Sequence, residues 1–169
     1  MELIVLIEPS NGINPGHVTI GQESVEGVTK FFGFHFDPDE LPAEFRPPER
    51  WQEYLFLNKT LGHVRDDMRY VHGLRSDETS KFFEKRAVCD TGVETVIPAR
   101  ADWDSFADYS FSPDDFHSDA DPCYNCVTWA TMIGNKVIPG FLRPVRQGRM
   151  KLIVKQIRAG TGKTGDHDG

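Results

Sequence analysis

Tyr124-Asn125-Cys126-Val127-Thr128-Trp129-Ala130 reads as the start of a buried helix with a cysteine in its first turn. Val127, Ala130 and Ile133, with Trp129 beside them, form one apolar helical face. Asn125 is a favoured helix cap, and Gly134-Asn135 is a natural stop. A thiol in such a first turn meets unpaired backbone N–H groups and the positive end of the helix dipole, and both favour the thiolate. A backbone N–H there is also a candidate oxyanion donor. Far upstream, Gly16-His17-Val18-Thr19-Ile20 reads as a β-branched strand opening on a histidine behind a Pro-Gly turn. A buried structural role is the usual fate of a free cysteine, and a strand-edge histidine commonly bonds a carbonyl. Together, however, Cys126 and His17 are the minimum parts of an activated thiol nucleophile. His63, His72, His117 and His167 have no comparable context.

Around these two segments the chain alternates strands and helices. Glu2 to Ile7 is an apolar run of strand length. His17 to Gln22 leads through a turn at Glu23 to Gly27 into an aromatic strand, Val28 to Phe36, in which Gly33 signals a bulge or a close backbone approach. Asp37 to Arg50 carries four prolines and predicts a loop with about one helical turn. Trp51 to Leu57 is ambiguous, and Gly62 to Tyr70 is a strand or loop edge. Ser76 caps a predicted helix over Ser80 to Val88. Asp102 to Pro122 is acidic, aromatic and loop-like, and Arg149 to Ile157 predicts a last strand. The order implies an α+β fold, a mostly antiparallel sheet packed on helices. Residues 1–158 are expected to form a single domain, with a flexible Gly-rich tail over 159–169.

Composition narrows the function classes. With 169 residues, 38% hydrophobic residues and twelve Phe, the chain can bury about 70% of its unfolded surface without a disulfide or metal staple. A net charge of −7 argues against general nucleic-acid binding, which needs clustered Lys and Arg. Basic residues do gather late, at Arg143, Arg146, Arg149, Lys151, Lys155 and Arg158, where a solvated face is the commoner explanation than an anion site. Three cysteines make a poor disulfide framework. The N-terminal segment has no basic region before its apolar run, so a Sec signal is not expected, and no transmembrane segment is expected either. The expected synthesis is cytoplasmic, and any export would use a signal-peptide-independent route.

Three motifs carry a family resemblance. Gly16-His17-Val18-Thr19-Ile20-Gly21, Phe32-Gly33-Phe34-His35-Phe36-Asp37-Pro38 and Asn125-Cys126-Val127-Thr128-Trp129-Ala130 together resemble the circularly permuted papain-like proteins. That group includes NlpC-type cell-wall peptidases and lecithin:retinol acyltransferase-like enzymes. The resemblance implies a permuted papain-like fold, Cys126 as nucleophile and His17 as base. It also implies a third polar group orienting the histidine, for which His35 is the best candidate and Asp37 the fallback. In a simple hairpin residue 17 faces a residue near 32, so His35 is expected to need a bulge at Gly33. Tyr124 and Asn125 are candidates for the oxyanion and substrate region. The implied activity is a cysteine hydrolase cleaving an amide through an acyl-enzyme, with no cofactor. The implied substrate is a peptide or peptidoglycan, and the implied setting is a secreted bacterial effector paired with an immunity protein. A thiol acyltransferase or lipid esterase of the same fold is the alternative, and a non-catalytic binding module is another.

Two other motifs compete. Pro122-Cys123-Tyr124-Asn125-Cys126 is the P-C-x-x-C of zinc-dependent deaminases. Those enzymes also need an upstream H-x-E, which this chain lacks; His35-Phe36-Asp37 is the nearest approach. A structural zinc site would draw on His117 and Cys89 at irregular spacing. Gly160-Thr161-Gly162-Lys163-Thr164 resembles a phosphate-loop ending, but position 157 is Ile where that loop needs Gly.

Overall fold

The computed structural model describes residues 1–11 and 15–160. It is a mixed α+β fold built on one curled, antiparallel-rich sheet. In chain order the elements are β1 (Glu2–Glu8), β2 (His17–Glu23), β3 (Thr29–Phe36), α1 (Trp51–Leu55), β4 (Thr60–Asp66), α2 (Met68–Ser76), β5 (Phe83–Val88), β6 (Asp108–Tyr109), β7 (Cys123–Tyr124), α3 (Cys126–Val137) and α4 (Met150–Gly160). The strands lie in the order β5-β1-β2-β3-β4-β6-β7. All neighbours are antiparallel except β6 and β7.

Strand parity sorts the sheet into two faces. Leu3, Val5 and Ile7 of β1, Val18 and Ile20 of β2, and Phe32 and Phe34 of β3 pack with Trp129, Ala130 and Ile133 of α3 and Ile153 and Ile157 of α4. Ile4, Leu6 and Phe31 pack on the opposite side with Val71 and Leu74 of α2. With both faces covered, β1 is an unbroken apolar run rather than an alternating one. The main core centres on Trp129, fully buried and stacked on Phe34 with ring centroids 5.9 Å apart. Gly134 lets α3 approach β2 closely, since a Cβ there would sit 2.9 Å from Ile20 Cδ1.

Four elements depart from the sequence expectations. The helix expected over Ser80 to Val88 is instead strand β5, held against β1 in a register running from Glu2↔Val88 to Ile7↔Phe83. Tertiary pairing overrides its helical propensity here, and Glu84, Lys85 and Arg86 give the sheet edge its charged side chains. The helix lies earlier, at α2, where Val71 and Leu74 recur at helical spacing. The expected last strand is helix α4: buried Ile153 and Ile157 are four residues apart while Leu152 is exposed. Finally, α3 continues past Gly134-Asn135, and Asn135 instead holds the following turn through Leu142 N–H and Leu142 O, both at 2.8 Å. Asp37 to Arg50 forms three short 3₁₀ turns. Most of the expected tail, from 161 to 169, and with it most of the phosphate-loop look-alike, lies outside the described residues. Among the described residues no helix is long and apolar enough to cross a membrane.

Candidate active site

The N-terminus of α3 is closed by a reciprocal cap. Asn125 Oδ1 accepts from Thr128 N–H at 2.9 Å, and Asn125 N–H donates to Thr128 Oγ1 at 2.9 Å. Cys126 is therefore the first helical residue. It is buried but lines a cleft of about 440 Å³, together with Gly16, Tyr109, Phe111, Asn125 and residues 146–151. The Asn125 side chain is already committed: besides the cap, its Nδ2 donates to Gln147 O at 2.9 Å and Gly148 O at 3.3 Å. Asn125 thus fastens the cleft wall to α3. Tyr124 does not line this cleft. Its ring packs against Phe34, Phe106 and His117 and lines a neighbouring cavity.

His17 is the first residue of β2, at the end of the sheet, within reach of groups from several elements. The Cys126 thiol lies close enough to its ring to raise its basicity. Its Nε2 lies 2.8 Å from Asp67 Oδ2, and Tyr70 of α2 packs edge-on at 5.0 Å between ring centroids. The other Asp67 oxygen, Oδ1, lies 2.8 Å from His35 Nε2. Asp67 is buried, yet its carboxyl is held well below the usual range: burial opposes this, but the hydrogen bonds to both histidines outweigh it. An ionised carboxylate only accepts, so each Nε2 carries a proton. That leaves Nδ1 of His17 as the ring nitrogen for the sulfur.

The two histidines on this one carboxylate shift in opposite directions. Burial would lower His17, but hydrogen bonds to Asp67 and Cys126, and the negative charges of both, raise it to about 10. His35 is pushed down by burial and by the positive charges of His17 and Arg65, against its bond to Asp67. The rings are 4.4 Å apart between centroids. Divergent shifts on adjacent groups are the pattern by which acid–base roles separate.

The hairpin explains how His35 reaches the cluster. β2 and β3 pair as Ile20↔Phe32 and Glu23↔Thr29, which carried on brings His17 opposite His35 rather than a residue near 32. The expected bulge is unnecessary, because Gly33 pairs in register with Arg65. Gly33 serves instead as the close approach: a Cβ there would lie 2.1 Å from Asp67 Oδ2 and 2.7 Å from His17 Nε2. Asp37, the fallback, caps a 3₁₀ turn through a 3.0 Å bond from Asp39 N–H.

Two site residues were not anticipated from the sequence. Asp67 sits between β4 and α2, where it looks like an ordinary helix-start acid. The signal was its neighbour: Asp66 accepts from Met68 N–H at 2.8 Å, so one of the two acids suffices for the turn. Tyr109 comes from the acidic loop. Its hydroxyl faces Cys126; burial and the thiol charge push it up, while the Cys126 backbone N–H pulls it down.

His17, His35 and Asp67 also form a metal-compatible cluster, their ligand atoms within 4.8 Å of one another. Cys123 and Cys126 are not part of it. Cys123 is buried, its thiol pushed up to about 12 by burial and by Asp108, as expected of a structural cysteine. All three cysteines are free, and Cys89 is likewise buried.

Compared with known proteins, the chain matches no family model, no curated protein and no solved structure.

Proposed function

We propose that the protein is a cysteine hydrolase of permuted papain-like architecture that cleaves an amide through an acyl-enzyme. The single observation that carries this reading is the line Cys126–His17–Asp67 at the edge of a cleft: a thiol on a helix N-terminus, beside an imidazole whose far nitrogen is fixed by a buried carboxylate. His17 takes the thiol proton, and Cys126 Sγ adds to the substrate carbonyl. The oxyanion develops beside the Cys126 backbone N–H and the Tyr109 hydroxyl. The C–N bond then breaks, and the leaving amine receives the proton from His17. A water, deprotonated by the same ring, adds to the thioester and releases the acid and the free thiol. Asp67 is a positioning residue: it fixes the tautomer and favours the imidazolium. His35 braces Asp67 from its second oxygen.

Peptide amides, including those of peptidoglycan, are the substrates that the family resemblance implies, together with the effector setting and its immunity partner. A second reading, ester hydrolysis or acyl transfer on lipids, is favoured by exposed Phe56, Leu57 and Leu61, of which Phe56 lines the cleft. The deciding experiment incubates the protein with peptidoglycan fragments and with a lipid panel, identifies products by mass spectrometry, and searches for a hydroxylamine-sensitive acyl adduct on Cys126. An adduct released with a peptide product supports the amidase, and one carrying a fatty acyl chain supports the lipid reading. Turnover that survives Cys126→Ala and is abolished by EDTA would overturn both in favour of metal chemistry at His17, His35 and Asp67.

A further inference from the structure

The cleft beside Cys126 has an electrostatic character opposite to that of the chain. The protein carries 26 acidic and 19 basic side chains. Yet every ionisable lining residue with a formal charge at neutral pH is a cation: Arg146, Arg149 and Lys151. Among the described residues no carboxylate lines it. Among the described residues, none of these three cationic groups has an ion-pair or hydrogen-bond partner for its side chain, although partners are plentiful elsewhere, as for Lys59 with Asp108 and Asp121. Two helices also begin at this cleft, α3 at Cys126 and α4 at Met150, and both direct the positive ends of their dipoles toward it.

The segment that carries the cations is built to hold its position. Gln147 has φ 55°, the only non-glycine residue with positive φ among those described, and Gly148 follows at φ 57°. That backbone is over-determined. Gln147 N–H donates to Asp114 Oδ2 at 2.7 Å, its Oε1 accepts from Asp114 N–H at 3.0 Å, and its Nε2 donates to Asp115 Oδ1 at 2.9 Å. Asn125 ties the Gln147 and Gly148 carbonyls to α3. Asp114 and Asp115 thus anchor the loop, and Asp114 lines the neighbouring cavity rather than this cleft. The remaining lining around Cys126 is largely apolar, with Phe56, Phe111, Val127 and Met150.

We infer that this wall is an anion subsite, and that the substrate of Cys126 carries a carboxylate or phosphate group close to the carbonyl attacked, joined to an apolar portion. As a statement about the substrate this rests on the thiol-hydrolase reading; as a statement about binding it does not. The binding test therefore uses Cys126→Ser protein, which cannot form a thioester, and two fluorescent probes, dansyl-glutamate and neutral dansylamide. Dansyl-glutamate is expected to bind at least about fivefold more tightly at low salt, with the preference fading as ionic strength rises. The R146A/R149A/K151A triple variant should abolish the preference, and so should R149E/K151E should the triple variant unfold. A second arm alkylates the native thiol with iodoacetate and iodoacetamide. The iodoacetate-to-iodoacetamide rate ratio should exceed that of free cysteine, and phosphate and glutamate are compared as competitors to distinguish the two kinds of anion. Equal binding of the two dansyl probes, or a preference unchanged by either variant, would overturn the anion subsite whatever Cys126 does. A preference that is present while Cys126 is inert to both reagents would uphold the subsite and sink the hydrolase.

Discussion

Two histidine–carboxylate clusters lie on either side of the β3–β4 ladder and are built inversely. At the end of β2, one carboxylate, Asp67, bridges two imidazoles. On β4, one imidazole, His63, sits between two carboxylates, Asp104 at 2.6 Å from Nδ1 and Glu40 at Nε2. His35 and His63 are even direct partners in the β3–β4 ladder. The difference lies in what remains for chemistry. His63 has both ring nitrogens occupied by acids from two loops, so it can only clasp those loops to the sheet. His17 gives one nitrogen to Asp67 and keeps the other for a thiol at a helix N-terminus. A histidine–carboxylate contact alone therefore does not mark a catalytic centre; the proposal for His17 rests on the ring nitrogen left for the sulfur beside it.

Substitutions can break this contrast, and the largest effect is expected at His17. His17→Ala should lower amide hydrolysis by about 10³-fold or more, the scale of losing a general base, whereas His63→Ala should leave turnover within about twofold. Next comes Gly33→Ala. The new methyl cannot coexist with the Asp67–His17 bond at 2.1 Å and 2.7 Å, so activity should fall about 10²-fold and stability by about 1–3 kcal/mol. Differential scanning calorimetry with steady-state kinetics reads both. If Gly33→Ala is as active as the parent, the close approach is not needed for the site.

A pH profile sharpens the contrast further. His17 is raised to about 10, so its bonds stabilise the folded state fully below the ordinary imidazole range, and that contribution is lost as pH rises through about 10. The proposed hydrolysis, in which the imidazolium protonates the leaving amine, should fall along the same limb. Asp67→Asn should bring that limb to lower pH and reduce turnover about 10- to 100-fold. An alkaline limb that does not move would leave Asp67 a purely structural residue. The smallest effect belongs to the β4 clasp. His63→Ala should cost about 1 kcal/mol, discounted because Asp104 and Glu40 are partly to largely exposed, and urea denaturation would detect it.

The two clusters also show what could be read from sequence. The thiol helix was legible because Asn125, Cys126 and the Val127, Ala130, Ile133 face are local signals, and His17 because a turn and a β-branched run flank it. Asp67 was not, since its role is set by a neighbour 50 positions away and by the missing side chain of Gly33. The close approach at Gly33 was read, but its beneficiary was not. The errors at β5 and α4 share a cause: in short, charged, amphipathic segments the pairing partner decides between strand and helix, and β1 and the main core supply that partner only in the folded chain. The inverse cluster at His63 lay equally out of reach, because Glu40 and Asp104 come from loops with no periodicity.

The central claim is that His17 activates Cys126, and iodoacetamide labelling at pH 6 tests it most directly. The parent protein should modify Cys126 at least about tenfold faster than free cysteine, and His17→Ala should remove that advantage while His63→Ala keeps it. Equal labelling rates in the parent and His17→Ala proteins would contradict the account.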